Sequence, residues 1–206
     1  MESAHRPPVG GAAAVLNEME KMLEIRFIGR GGQGVISAAQ LLAEAAVLEG
    51  MHVQAFPEFG AERSGAPISA YARLSKSVIE IHSLIRSPGA IVVVDRSLAR
   101  SKGIASGLAR DGVFLCNQDG PLPELRKALD LPVAARLYAL PAGEIAMKTL
   151  GKDIPNTPML GALLRITKSV KMETLSSVVA RRFKGSLLEK NIAALGEGYE
   201  RVVGPG

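Results

Sequence analysis

The 206-residue chain has one cysteine, no tryptophan, three histidines, and only five Phe and three Tyr. A single thiol, Cys116, excludes an intrachain disulfide, a multi-thiolate zinc site and an iron–sulfur cluster ligated by this chain alone. His5, His52 and His82 lie far apart with no carboxylate at metal-ligand spacing, so they read as ordinary polar positions and no catalytic metal is expected. No apolar run approaches the ~18 residues of a membrane span. The opening Met1-Glu2-Ser3-Ala4-His5-Arg6 lacks the charged-then-apolar order of a secretory signal, and the expectation is a cytoplasmic protein. Aromatics for base stacking are scarce and no nucleic-acid motif is present, so the basic balance is not read as nucleic-acid binding.

What is present is globular. Hydrophobic residues make up 47% of the chain, enough to build a core without metals or disulfides. The net charge of +5 sits mostly at the end, where residues 161–206 hold eight Lys/Arg against four Glu. This fits a solvated basic face, or a surface for an acidic ligand or subunit.

Residues 1–21 are rich in Pro, Gly and Ala up to Val15 and read as an N-terminal extension of one domain, 22–206. Leu23 to Ile28 alternates as a strand, Gly29 to Gly34 breaks it, and Val35 to Glu49 is apolar around most of a helix that stops at Gly50. Met51 to Phe56 reads as a second strand, which makes a parallel βαβ unit. The runs 68–75 and 78–82 around Lys76-Ser77 suggest a hairpin. Ala90 to Asp95 is a buried central strand, 113–117 and 134–140 are further strands, and helices fit 97–109 and 121–129. From Gly143 helical signals dominate. The expected fold is three-layer α/β/α, with a mixed, partly parallel sheet and a helical C-terminal third.

Four segments carry chemistry. Arg30-Gly31-Gly32-Gln33-Gly34, between strand and helix, aims N–H groups at a helix N-terminus that favours phosphate or carboxylate, or else only permits a tight turn and close packing. Its spacing also meets the dinucleotide fingerprint, with Glu58 placed to bind a ribose. In the loop from Phe59 to Pro67, Glu62 and Arg63 stand among Ser64, Gly65 and other small residues, suited to a local ion pair or to a forked grip on an anion. Asp95 ends a buried strand as either a cap for a helix near Ser97 or a site residue. Asn156 reads as a helix N-cap followed by Thr157 and Pro158, and Met159, Leu160 and Leu163 either pack inward or face a partner. Arg165, Lys168 and Lys171 would share one helical face.

Together these four segments resemble the gamma subunit, or fused gamma domain, of the 2-oxoacid:ferredoxin (acceptor) oxidoreductases, over about Leu23 to Val203. The resemblance implies one part of a complex that is inactive alone and has no catalytic residue of its own. Thiamine diphosphate with Mg would lie between alpha and beta subunits, and [4Fe–4S] clusters in beta and delta subunits. The complex would decarboxylate a 2-oxoacid such as pyruvate, reduce ferredoxin or another acceptor, and pass the acyl group to coenzyme A. It also implies that Arg30, Gly31, Gly32, Gln33, Gly34 and Arg63 border coenzyme A, while Glu62, Arg63, Ser64, Gly65, Asn156, Met159 and Leu160 touch partner subunits. Two other readings remain: a module binding NAD(P) or FAD at the glycine turn, and a scaffold subunit without ligand contacts.

Overall fold

The computed structural model describes residues 22–58 and 67–205. Strand β1 (Leu23–Gly29) leads through the glycine turn into helix α1 (Val35–Leu48), and the chain returns as β2 (His52–Glu58). Next come β3 (Ile68–Ser75), β4 (Ala90–Val93), β5 (Val113–Asn117), α2 (Leu122–Ala128) and β6 (Arg136–Leu140). Four helices finish the described chain: α3 (Ala142–Leu150), α4 (Asn156–Thr167), α5 (Met172–Arg182) and α6 (Gly185–Arg201).

The six strands form one mixed sheet in the order β2-β3-β1-β4-β5-β6. β1, β4, β5 and β6 run parallel, while β3 is antiparallel to both β1 and β2. The β1-α1-β2 unit is therefore parallel in direction as expected, but β3 is inserted between its strands. The expected hairpin does not form. Residues 68–75 pair with β1 and β2 on either side, and 78–82 carries no strand. Local alternation can mark a strand but not its partner, and here both partners precede the lysine–serine turn.

Period-two alternation sorts the strands onto two faces. Ile25, Phe27, Ala70, Ala72, Val92 and Leu115 meet α1, α4, α5 and α6 in one core, whereas Ile28, Ile91, Val93, Phe114 and Cys116 meet Leu98, Ala105, Leu108 and Leu125 in the other. The second layer is thin. Residues expected as a helix at 97–109 form successive turns instead, because Gly103 and Gly107 take φ of 76° and 83° and end any helical ladder.

Small residues set the helix spacing. Ala38, Ala39, Ala45 and Ala46 let α1 lie close on the sheet. Gly161 of α4 and Gly198 of α6 sit where those helices cross, and a Cβ on either would run into the other helix's backbone carbonyl, at Leu195 and Pro158 respectively. After α6, Val203 exchanges two backbone hydrogen bonds of 2.9 Å with Ala139 and so lies along the outer side of β6.

Candidate functional site

The glycine turn is built by three glycines that the fold requires and one that it does not. A Cβ on Gly29 would stand 2.6 Å from Val35 Cγ2 and 3.0 Å from Gln33 Oε1. Gly34 has φ 74° and would drive a Cβ into the Asn156 side chain; Gly32 has φ 87°. Gly31 has no positive φ, is exposed, and a Cβ there would meet nothing within 4 Å. Its lack of a side chain therefore serves no contact inside the described chain and instead leaves room for close approach from outside. α1 begins here with no side-chain cap and no acidic residue in its first turn, so nothing in the helix itself compensates its positive end.

Asp95 holds this turn in place. Its Oδ2 accepts from Gln33 Nε2 at 2.6 Å, its Oδ1 from Ser97 Oγ at 2.5 Å and from the Leu98 N–H at 3.1 Å, and Arg30 Nε lies 3.7 Å from Oδ1. Gln33 Oε1 accepts the Arg30 N–H at 2.8 Å, and Arg30 Nη2 reaches Ser97 Oγ at 3.3 Å. Burial raises the Asp95 pKa, but the Ser97, Gln33 and Leu98 hydrogen bonds and the Arg30 charge outweigh it and hold the carboxyl below its ordinary range. Asp95 does cap residues 96–98, one of the two roles expected of it, but these residues form a turn and not a helix. Its bond to Gln33 was not foreseen, because 62 positions separate the two residues and only the β1–β4 pairing joins them.

Strand register gathers the motifs. Gly29 pairs with Ile68 and Glu58 with Ser69, so the segment between β2 and β3 starts and ends beside the glycine turn. Val94 donates to Ile28 O at 2.7 Å, setting Asp95 on the other flank, and Asn156 packs on Gly34. The glycine turn, Asp95 and Asn156, scattered over more than a hundred residues, meet at the C-terminal ends of β1 and β4, where open α/β sheets place ligands.

Glu62, Arg63, Ser64 and Gly65 lie outside the described residues. α4 starts at Asn156 with Pro155 in the cap position, and Asn156 makes no capping bond. Asn156, Met159 and Leu160 are buried within the chain itself, so this helix start has no apolar surface to offer a partner. α4 also ends at Thr167, which separates Lys168 and Lys171 from Arg165; Arg165 lies over the Tyr199 ring at 5.0 Å. Glu58 does not sit as a dinucleotide fold needs, because β3 displaces β2 by one strand, about 5 Å, and Glu58 accepts the Tyr71 hydroxyl at 2.6 Å.

Among the described residues no cluster of three His, Cys, Asp or Glu is arranged to hold a metal ion. Cys116 is buried, and burial pushes its thiol up to about 12, so it stays protonated and is no metal ligand. No described helix is long and apolar enough to cross a membrane. A cavity of about 590 Å³ opens at the opposite end of the sheet, lined by residues such as Leu23, Leu74 and Arg136, and the glycine turn, Asp95 and Asn156 do not border it.

Residues 24–201 match the pyruvate ferredoxin/flavodoxin oxidoreductase family. The common gamma subunit of the pyruvate/ketoisovalerate oxidoreductases of Pyrococcus abyssi is 42% identical over 180 residues, 87% of this chain and 97% of that protein. The pyruvate synthase subunit PorC of Thermotoga maritima is 40% identical over 187 residues, 89% and 96% of the two chains. The crystal structure of the pyruvate oxidoreductase subunit PORC from Thermotoga maritima superposes with a TM-score of 0.80 at 38% identity, covering 90% of this chain and 99% of that one.

Proposed function

Since the chain belongs to the pyruvate ferredoxin/flavodoxin oxidoreductase family, as a gamma-type subunit of a multisubunit 2-oxoacid oxidoreductase, we propose that its part in the complex is to border the coenzyme A path with the 29–34 turn. Alpha, beta and delta subunits carry thiamine diphosphate, Mg and the [4Fe–4S] clusters, and these supply decarboxylation and electron transfer to ferredoxin. This chain's residues bind and orient. The amides of Gly31, Gly32 and Gly34 and the open end of α1 face a coenzyme phosphate, with Arg30 beside them, and Arg63 adds a second cation for it. Glu62, Arg63, Ser64 and Gly65 contact partner subunits, and the complex works in the cytoplasm.

The observation that carries this reading is Gly31, a glycine with no steric reason among the described residues, at the mouth of an uncapped helix. A dinucleotide module is not favoured, because the Glu58 position does not fit it. The test is Gly31→Val in the reconstituted complex. Since a Cβ there meets nothing within 4 Å among the described residues, the variant should melt like the parent, raise the KM for coenzyme A about tenfold or more, and leave 2-oxoacid-dependent cluster reduction intact. An unchanged coenzyme A dependence, or loss of the 2-oxoacid half-reaction in an assembled complex, would assign the turn another role.

A further inference from the structure

Three positions before the end of β1, on the sheet face away from α1, Arg26 lines a cavity of about 360 Å³ with Ile28, Glu58, Ser69, Leu98 and Lys102 among its walls. The guanidinium is poorly satisfied. Its Nη2 reaches Ser69 Oγ only at 3.5 Å, the limit of a hydrogen bond, and its Nε is buried with no partner. No ion pair to Arg26 exists among the described residues. The carboxylate in the same wall, Glu58, already accepts the Tyr71 hydroxyl at 2.6 Å. A half-buried arginine with a lone donor stripped of water and no ion-pair partner among the described residues is costly, and natural proteins keep such a group where something else completes it. Lys102 adds a second cation at the rim, while Ile28, Leu98 and Ile104 give an apolar floor.

We infer that this cavity is an anion site, separate from the glycine turn, which takes one carboxylate or phosphate group paired with Arg26 and assisted by Ser69 and Lys102. A planar guanidinium suits either group through its terminal nitrogens, and the floor suits a short aliphatic portion behind the charge. The group comes either from a small molecule or from an acidic side chain of a neighbouring subunit. The chemistry is the same, so experiment has to separate the sources.

Thermal melts of the full chain are titrated with inorganic phosphate and, separately, with pyruvate at constant ionic strength. At ten times the dissociation constant a bound anion should raise the Tm by about 4 °C for a chain of this size. Arg26→Gln should weaken that response at least tenfold, and Lys102→Gln, at an exposed position that the fold does not need, by about threefold. These results assign a small-molecule anion. If neither anion shifts the Tm but Arg26→Gln or Lys102→Gln lowers affinity for the other subunits at least threefold in pull-down titrations, the group is a partner's carboxylate. Variants equal to the parent in both assays overturn the inference, and since Lys102→Gln cannot fail through misfolding, that result would be decisive. Any part of the phosphate response lost in Gly31→Val belongs to the glycine turn and the part lost in Arg26→Gln or Lys102→Gln to this cavity, so this site and the coenzyme A reading stand or fall separately.

Discussion

Replacing Asp95 by alanine tests whether one carboxylate fixes the geometry of the glycine turn. The substitution removes the acceptor for Gln33 Nε2, Ser97 Oγ and the Leu98 N–H and the counter-charge 3.7 Å from Arg30 Nε. Asp95 is itself only 7% exposed, so water replaces these partners incompletely. Three donors left short at about 1 kcal/mol each give a loss of about 3 kcal/mol, which for a domain of this length lowers Tm by roughly 9 °C. Asp95→Asn should cost less, about 1–2 kcal/mol. It keeps an oxygen for Ser97 and Leu98 but faces Gln33 Nε2 with a second donor, and Gln33 cannot simply turn over because its Oε1 already accepts the Arg30 N–H at 2.8 Å. The sign of the pH dependence is set by the depressed carboxyl: its stabilisation is complete above the ordinary value of 3.8 and is lost as pH falls through the lower folded value. Melts monitored by circular dichroism at pH 7 and at a series of pH values below 3.8 should therefore separate parent and alanine variant most at the first and narrow the gap progressively as pH falls. An alanine variant within 1 °C of the parent at pH 7 would refute the claim that Asp95 anchors the turn.

Three further outcomes are expected. Gly161→Ala should destabilise by about 3 kcal/mol in chemical denaturation, since the added methyl group meets the Leu195 carbonyl and not a movable side chain; an effect below 0.5 kcal/mol would mean the α4–α6 crossing is looser than described. Arg73→Met should cost about 3–5 kcal/mol, because Arg73 is 1% exposed, pairs with Glu24 at 2.6 Å, and donates to Gln54 and to the Ser83 carbonyl, all of which lose their partner. Cys116, with its thiol raised to about 12 by burial, should resist a thiol reagent in the native chain at pH 8 and react at once in denaturant, so rapid native labelling would contradict the burial.

The elements that local pattern alone determines were legible in the sequence: the strand, glycine turn and apolar helix of 23–48, the buried strand ending at Asp95, and the strand at 113–117. What failed depended on partners distant in the chain. Residues 68–75 alternate like half a hairpin, yet their neighbours are β1 and β2. Asn156 has the chemistry of an N-cap, but its side chain is consumed by packing on Gly34, a contact across more than a hundred residues. Met159 and Leu160 looked available to a partner because nothing local says that α6 will cover them. The site was half readable. Glycine spacing exposed the turn, whereas Gln33 and Asp95 become a pair only once β4 lies beside β1. Arg73 gave no signal, since a buried arginine looks like a surface one until its acceptors are placed.

The Val203–Ala139 bridge makes the two borders of the sheet unequal. On the β6 side, residues after α6 already occupy part of the outermost ladder, so a foreign strand would first have to peel them away. On the β2 side no described strand pairs with the outer edge; there the protection is chemical, since Pro57 supplies no N–H to an incoming strand and Glu58 ends the run with a charge. Trimming residues 202–206, or fusing a tag that pulls them off, should therefore open the guarded border and raise self-association on heating, while Pro57→Val would do the same at the other border without touching the C-terminal end. Solubility of this subunit before it finds its complex thus rests on a few residues that take no part in its chemistry.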